Sequence, residues 1–286
     1  MTQPTTPTLT DLTLGPVELS VADLGRSVAF YAHVLGMAVL DRAPTTATLG
    51  HPAQPLLLLT EQPGAQPARP TAPGLYHFAV LLPTRADLAR WVQHAASTGL
   101  RIGQSDHLVS EAFYLQDPDG HGIEVYRDRP RDTWRWQDGH VQMAGDPIDL
   151  QGLLAEPGAD APFTGLPAGT VMGHVHLRVS DLNATETFYR DVLGFDVVAR
   201  WPGALFISVH GYHHHFGLNT WGGARRAPAG ETASALMRVN VNLPHATDLD
   251  ALGARLHRAD VPFHRERDTL DVHDPAGNPL RFRHGP

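Results

Sequence analysis

The chain has 286 residues, no cysteine, 18 histidines and a formal net charge of −8. Its length accommodates two ordinary domains or four small repeated units, and its charge argues against a nucleic-acid or anionic-membrane partner, since no basic stripe is present to neutralise phosphates. Without cysteine there can be no disulfide or thiolate metal site, so any metal must be held by histidine and carboxylate.

Residues 1–13 form a Thr- and Pro-rich tail with no basic start and no apolar core of signal-peptide length. No apolar run is long enough to span a bilayer, so a cytoplasmic protein is expected. The next stretch, Val17 to Leu24, alternates apolar and polar residues as a strand does, and Asp23-Leu24 then opens a helix that carries Phe30-Tyr31 and ends near Gly36. The same pattern returns at a constant offset of 158 residues, as Val175 to Leu182, Phe188-Tyr189 and Gly194. Chance rarely preserves an offset over this length. A second repeat pair follows each of these. One runs from Leu75-Tyr76-His77-Phe78 through a helix around Asp87 to Ser97 and on to Asp117-Pro118-Asp119-Gly120 and Ile123-Glu124-Val125-Tyr126; its counterpart runs from Met237 to Asp274-Pro275-Ala276-Gly277 and Phe282. The chain thus reads as four strand–helix–strands modules over 14–61, 73–127, 171–222 and 234–284, joined by Gly/Pro-containing connectors. The two Asp-Pro turns need no chemistry beyond joining the last two strands of their modules. The run Arg127 to Arg135 interleaves acids with its arginines and reads as a solvated, self-paired segment.

Strand parity selects the side chains that face away from the helices. In His174-Val175-His176-Leu177-Arg178-Val179 the apolar face is Val175, Leu177 and Val179, which leaves His174, His176 and Arg178 opposite. By the same reasoning His77 opposes Phe78 and Val80, and Glu124 opposes Ile123 and Val125. The run His213-His214-His215 inside an apolar stretch, if it is a strand, places His213 and His215 on a polar face with Asn219, and His214 with Phe216 and Leu218. Any one histidine here is more commonly a hydrogen-bonded strand residue than a ligand; two at equivalent repeat positions, with a glutamate on the same side, favour metal binding.

The repeated Asp-Leu…Phe-Tyr-x-x-Val-Leu-Gly pattern, with Phe113-Tyr114-Leu115-Gln116-Asp117-Pro118-Asp119-Gly120 and Glu124, resembles the vicinal oxygen chelate (glyoxalase/bleomycin resistance/dioxygenase) superfamily. Within it, the chain is similar to extradiol ring-cleaving dioxygenases of the catechol 2,3-dioxygenase kind. The resemblance implies an α+β fold: four βαβββ modules in two domains, each a cupped mixed sheet with helices outside. The first domain in sequence would cover 14–127 and the second 171–286, with 128–170 as connector. It further implies one metal held by His77, Glu124 and His174, a two-His, one-carboxylate set that suits Fe(II), with Mn(II) as the usual substitute. His215 would be the acid/base residue, and His107 and Tyr114 would hold the ring oxygen of the substrate. His213 and His214 would be structural neighbours, while His176, Asn219 and Tyr126 would face the cavity. The implied partners are an aromatic diol and dioxygen, in a monomer or small homo-oligomer. Two alternatives stay open: a glyoxalase-like isomerase or lyase using Ni(II) or Zn(II) with His215 as fourth ligand, or a metal-free protein that binds an aromatic compound.

One departure from the family pattern bears on architecture. Arg238 and Arg281 stand where the fourth module would carry His and Glu, and Pro16 stands at the first module's ligand position. A cation cannot occupy a cation site. The complete set is split between modules two and three, so these two are expected to pair around the metal and modules one and four to pair without it.

Overall fold

The computed structural model describes Leu9 and residues 11–222 and 233–285. Module one comprises β1 (Thr13–Val21), α1 (Leu24–Val34), β2 (Ala38–Arg42), β3 (Thr46–His51) and β4 (Gln54–Glu61). Module two follows as β5 (Gly74–Leu81), α2 (Arg85–Ser97), β6 (Gly103–Asp106), β7 (Ser110–Gln116) and β8 (Gly122–Asp128). The connector folds into a short hairpin, β9 (Trp136–Gln137) and β10 (His140–Val141), and one helical turn, α3 (Leu150–Leu154). Module three is β11 (Val171–Arg178), α4 (Leu182–Glu186) continuing through wider turns to Leu193, β12 (Asp196–Trp201), β13 (Ala204–Ser208) and β14 (Phe216–Asn219). Module four is β15 (Leu236–Leu243), α5 (Ala246–Arg258), β16 (Phe263–Arg265), β17 (Thr269–His273) and β18 (Pro279–His284).

Asp23 and Asp181 open their helices as the sequence predicts, and Thr84, which the sequence pattern does not single out, opens α2. Asp23 accepts a hydrogen bond from the Arg26 amide, Thr84 from that of Asp87, and Asp181 from those of Asn183 and Ala184, each satisfying amides that the first turn leaves without partners. No helix among the described residues is long and apolar enough to cross a membrane.

The modules pair in the exchanged sense. One eight-stranded sheet runs β16-β17-β18-β15-β1-β4-β3-β2, joining module four to module one through the antiparallel β1–β15 pair. The other runs β12-β13-β14-β11-β5-β8-β7-β6, joining module three to module two through β5–β11. The helix-side faces of both sheets share one continuous apolar core, in which Tyr31, Phe78, Trp91, Phe195, Phe216 and Phe282 are fully buried.

On the other face of the first sheet, charge fills the place a metal would take. The Arg281 guanidinium donates two hydrogen bonds to Asp271 (2.7 and 2.6 Å), Arg238 Nη1 lies 3.3 Å from Glu18 Oε2, and Asn240 donates to Glu18 at 2.9 Å. Two cations meet two carboxylates, so the cluster is neutral without a metal.

The Asp-Pro turns do more than join strands. Tyr31 of α1 donates its hydroxyl to buried Asp117 (2.7 Å), and Asp119 accepts from the Ala22 amide (3.2 Å), Arg26 (2.9 Å) and Ser27 Oγ (3.2 Å). Module four repeats the device: Tyr189 donates to Asp274 (3.3 Å). Each turn thus ties a strand pair of one sheet to a helix of the other, which explains the Phe-Tyr repeat beyond helix packing.

Candidate active site

Strand register brings the three candidate ligands together. Ala79 of β5 pairs with His174 on one side and with Glu124 on the other, and His77 lies two residues along the same strand. His77 Nε2 is 3.0 Å and His174 Nε2 3.1 Å from Glu124 Oε2, and one ligand atom from each of the three residues lies within 4.8 Å of the others. All three side chains are buried. His174 Nε2 has hydrogen-bond geometry toward Glu124, whereas His77 Nε2 approaches without it, and Glu124 Oε1 has no partner at all. A buried carboxylate oxygen without a donor is costly, and converging nitrogen and oxygen atoms that do not satisfy one another are what a divalent cation completes. Burial works against the Glu124 charge, but the two imidazoles outweigh it and hold the carboxyl well below its ordinary range, in the form a metal needs. The residues present therefore fit a divalent metal.

Above this trio opens a cavity of about 630 Å3. His77 and Glu124 form its floor, and His107, Tyr114, His176 and His214 line its walls. His107 and Tyr114 meet on this wall. His107 Nδ1 lies 2.6 Å from the Ala144 carbonyl, which can only accept, so Nδ1 carries the proton and Nε2 accepts the Tyr114 hydroxyl at 2.6 Å. Ala144 belongs to the connector, which docks on β6 through the reciprocal Asp106–Asp146 amide–carbonyl pair and contributes Met143 to the cavity. That wall was invisible in the sequence, where the connector carries no periodic signal.

His215 is not in the cavity. The expected alternation fails because β14 begins only at Phe216: His210 and Gly211 both adopt left-handed backbone (φ 51° and 60°), and the histidines that follow lie in the turn leaving it. His215 points instead at the connecting loop, its Nδ1 accepting from the Val209 amide (3.3 Å), with its ring 5.0 Å from that of Tyr212. Burial, then the nearby His213 and Arg131, push its pKa down to about 3. It is also absent from the His77–Glu124–His174 group, so the fourth-ligand arrangement of the glyoxalase-like alternative lacks its residue.

His214 takes the place expected for His215. Its ring lies 4.1 Å from that of His174 and it lines the cavity. Its orientation is fixed by a chain of hydrogen bonds. Asp128 Oδ1 accepts from His213 Nε2 (2.8 Å), and His213 Nδ1 meets His214 Nδ1 (2.8 Å). A carboxylate accepts, so His213 Nε2 carries a proton; with that single proton on the ring its Nδ1 is an acceptor, and His214 then donates from Nδ1. His214 Nε2 remains as a lone-pair nitrogen. Burial, with His174 and His213 adding to it, pushes the His214 pKa well below its ordinary value, so the ring is neutral.

The other expectations divide. His176 lines the cavity, buried, with Nε2 unpartnered. Its ring lies flat over Gly217, where a Cβ would come within 2.7 Å of it, so the site needs glycine there. Tyr126 is buried outside the cavity, its hydroxyl bonded to that of Tyr212 (2.8 Å) and its ring 4.8 Å from His174, and it steadies that side chain from behind. Asn219 is fully buried and does not reach the cavity; its side-chain oxygen accepts the Trp221 amide. Tyr126 loses its expected place because its hydroxyl meets Tyr212 of the loop 209–215, and Asn219 because it ends β14 bonded to the Trp221 amide.

Comparison with known proteins shows the family and the fold. The family profile of the Glyoxalase/Bleomycin resistance protein/Dioxygenase superfamily matches residues 13–125 and 171–282. Catechol-2,3-dioxygenase of Bacillus subtilis (strain 168) is 44% identical over 276 residues, covering 93% of this chain and 95% of the relative. Among solved structures, a candidate dioxygenase from Bacillus subtilis subsp. subtilis str. 168 superposes with a TM-score of 0.65 at 12% identity (97% of this chain, 86% of that one). Glyoxalase I from Zea mays gives 0.57 at 17% identity (96% and 92%). With both halves of the chain matched, this protein belongs to the Glyoxalase/Bleomycin resistance protein/Dioxygenase superfamily.

Proposed function

We propose that the protein is an Fe(II)-dependent extradiol dioxygenase that cleaves the ring of a catechol-like diol beside its two hydroxyls and incorporates both atoms of dioxygen. The observation that carries this reading is the buried His77–Glu124–His174 set on the floor of a cavity that a neutral, orientation-locked His214 also lines. The 44% identical relative named catechol-2,3-dioxygenase supports it. When bound, Fe(II) would supply Lewis acidity to the diol oxygens and a path for electrons between ring and dioxygen; two imidazoles and one carboxylate leave coordination positions for both.

The protein's own groups supply the rest. His214 Nε2 accepts a proton from the substrate and returns it as the ring opens, a task suited to an imidazole kept neutral by burial. Tyr114, its hydroxyl held by His107, offers its oxygen to one substrate hydroxyl, and the Ala144 carbonyl fixes the tautomer that makes this possible. His176 and Phe206 wall the ring. The apolar share of the lining excludes water from the reacting atoms.

Anaerobic reconstitution with Fe(II), followed by addition of catechol and then air, tests this reading. Oxygen uptake with a new visible absorbance from a ring-opened semialdehyde is expected. Stoichiometric iron with no oxygen uptake across a panel of catechols would overturn the reaction, and failure to bind any divalent metal would favour the metal-free binding protein.

A further inference from the structure

Two arginines, Arg178 and Arg101, line the same cavity, and Glu124 at its floor is the one acidic side chain among the described lining residues. Arg178 is the more constrained. It closes β11, on the same face as His174 and His176, four residues beyond the candidate ligand, or about 13 Å along an extended strand. Its guanidinium is half-buried, donates through Nη1 to the Leu75 carbonyl (2.5 Å) and stacks on the Tyr76 ring at 5.2 Å. Among the described residues no carboxylate pairs with it. Arg85 and Arg127, by contrast, meet Glu111, and Arg129 meets Asp106. Burial lowers the pKa of Arg178, and the Tyr76 ring beside it offsets this only in part. Arg101 stands exposed on the rim. Between these cations and the floor, Phe206, Trp201 and Trp221 supply aromatic walls wide enough for a ring.

We propose that Arg178, assisted by Arg101, binds an anionic substituent, so that the substrate is a diol carrying a carboxylate on a short arm across the ring from its hydroxyls. This rests on the diol-cleaving reading above and specifies its substrate class. The separation decides the shape. A floor-chelated diol and a guanidinium about 13 Å up the strand, less the reach of both side chains, leave room for one ring and an arm of one or two carbons. A planar guanidinium already fixed by Leu75 and Tyr76 presents its remaining N–H groups to a carboxylate without further ordering.

The test compares three catechols with the iron-loaded enzyme under nitrogen, by calorimetry: 3,4-dihydroxyphenylacetate, its primary amide, and 4-ethylcatechol. The acid should bind about tenfold more tightly than either neutral compound, a ratio that shrinks as salt is raised. Arg178→Met should remove the difference while leaving the affinity for 4-ethylcatechol within about twofold; Arg178→Lys should restore part of it, and Arg101→Ala should reduce it less. In air, the same variants should raise KM for the acid far more than KM for 4-ethylcatechol. Equal binding of acid and amide by the wild type would overturn the anionic substituent alone. No binding of any of the three would overturn the diol reading and this inference with it. Should Arg178→Met fail to fold, the acid–amide comparison in the wild type and in Arg178→Lys still decides.

Discussion

At the scale of single residues, the site separates groups that would hold metal from groups that would move protons. His77→Ala and Glu124→Ala should each lose stoichiometric iron, measured by metal analysis after reconstitution, because removing one of three ligands leaves a buried, incompletely compensated site. His214→Ala should keep its iron and lose turnover by a factor of about 10^2 to 10^4, the usual contribution of a positioned general acid or base. His215→Ala should leave turnover within a few-fold of wild type, since its ring faces the loop and not the cavity. The contrast is the sharp one, because the two residues are adjacent. The residue preceding them supplies a subtler check. Asp128 reaches His214 only through His213, so in Asp128→Ala the tautomer of His214 is no longer dictated. Nitrogen NMR of histidine-labelled, metal-free protein should show His214 protonated on Nδ1 alone in wild type and a tautomer mixture in the variant.

The elements around the site explain how these residues hold still. Glu111 on β7 is buried and gathers Arg85 of α2 (2.9 Å), Arg127 of β8 (2.9 Å) and, at 3.5 Å, Arg129, while Arg85 also reaches Glu156 beyond α3. This network fastens helix, strand and connector together beside the wall that carries Ala144. Burial raises the Glu111 pKa, but Arg85, Arg127 and Arg129 outweigh it and the net shift is downward. A depressed folded-state pKa contributes stability that is fully present above the unfolded value near 4.5 and is lost as pH falls through the folded one. Glu111→Gln should therefore destabilise the protein at pH 7 by about 2 kcal/mol, discounted from the buried-pair range because its arginines are partly exposed. The deficit should shrink below pH 4.5, and parallel urea titrations across pH would show it. Packing imposes a different demand at Gly217 of β14. A methyl there would meet the His176 ring at 2.7 Å, so Gly217→Ala should retain iron but displace His176, raising KM more than it lowers kcat.

At the scale of the molecule, the pairing of modules two with three and one with four makes the metal set a property of both halves of the chain. A fragment ending before residue 171 retains His77 and Glu124 but lacks His174 and the β11 edge on which β5 pairs; it should bind no iron tightly. Tyr31→Phe tests the link between sheets: with the Asp117 acceptor left short of one donor, a loss of about 1–2 kcal/mol is expected. Much of this architecture was legible in the sequence. The constant repeat offset gave the modules, and Arg238 and Arg281 ruled out a metal in the first sheet before any fold was seen. What could not be read was set by tertiary contacts. Alternation placed His77, Glu124 and His174 on the right strand faces because they lie within strands, and misplaced His215 because the left-handed pair His210-Gly211 ends the strand pattern before the histidine run. The Ala144 carbonyl, Asp128 and the buried Asp117 latch act across long sequence separations that no local pattern encodes.

In the proposed reaction a metal held by His77, Glu124 and His174 works with His214 to cleave a diol with dioxygen. Oxygen uptake and iron content measured together, on wild type and on His214→Ala and His215→Ala reconstituted under nitrogen and then given catechol and air, test it most directly. About one iron per chain is expected in all three, with oxygen consumption in wild type and His215→Ala and its near-absence in His214→Ala. Full activity in His214→Ala, or oxygen consumption by a His174→Ala protein that holds no iron, would contradict it.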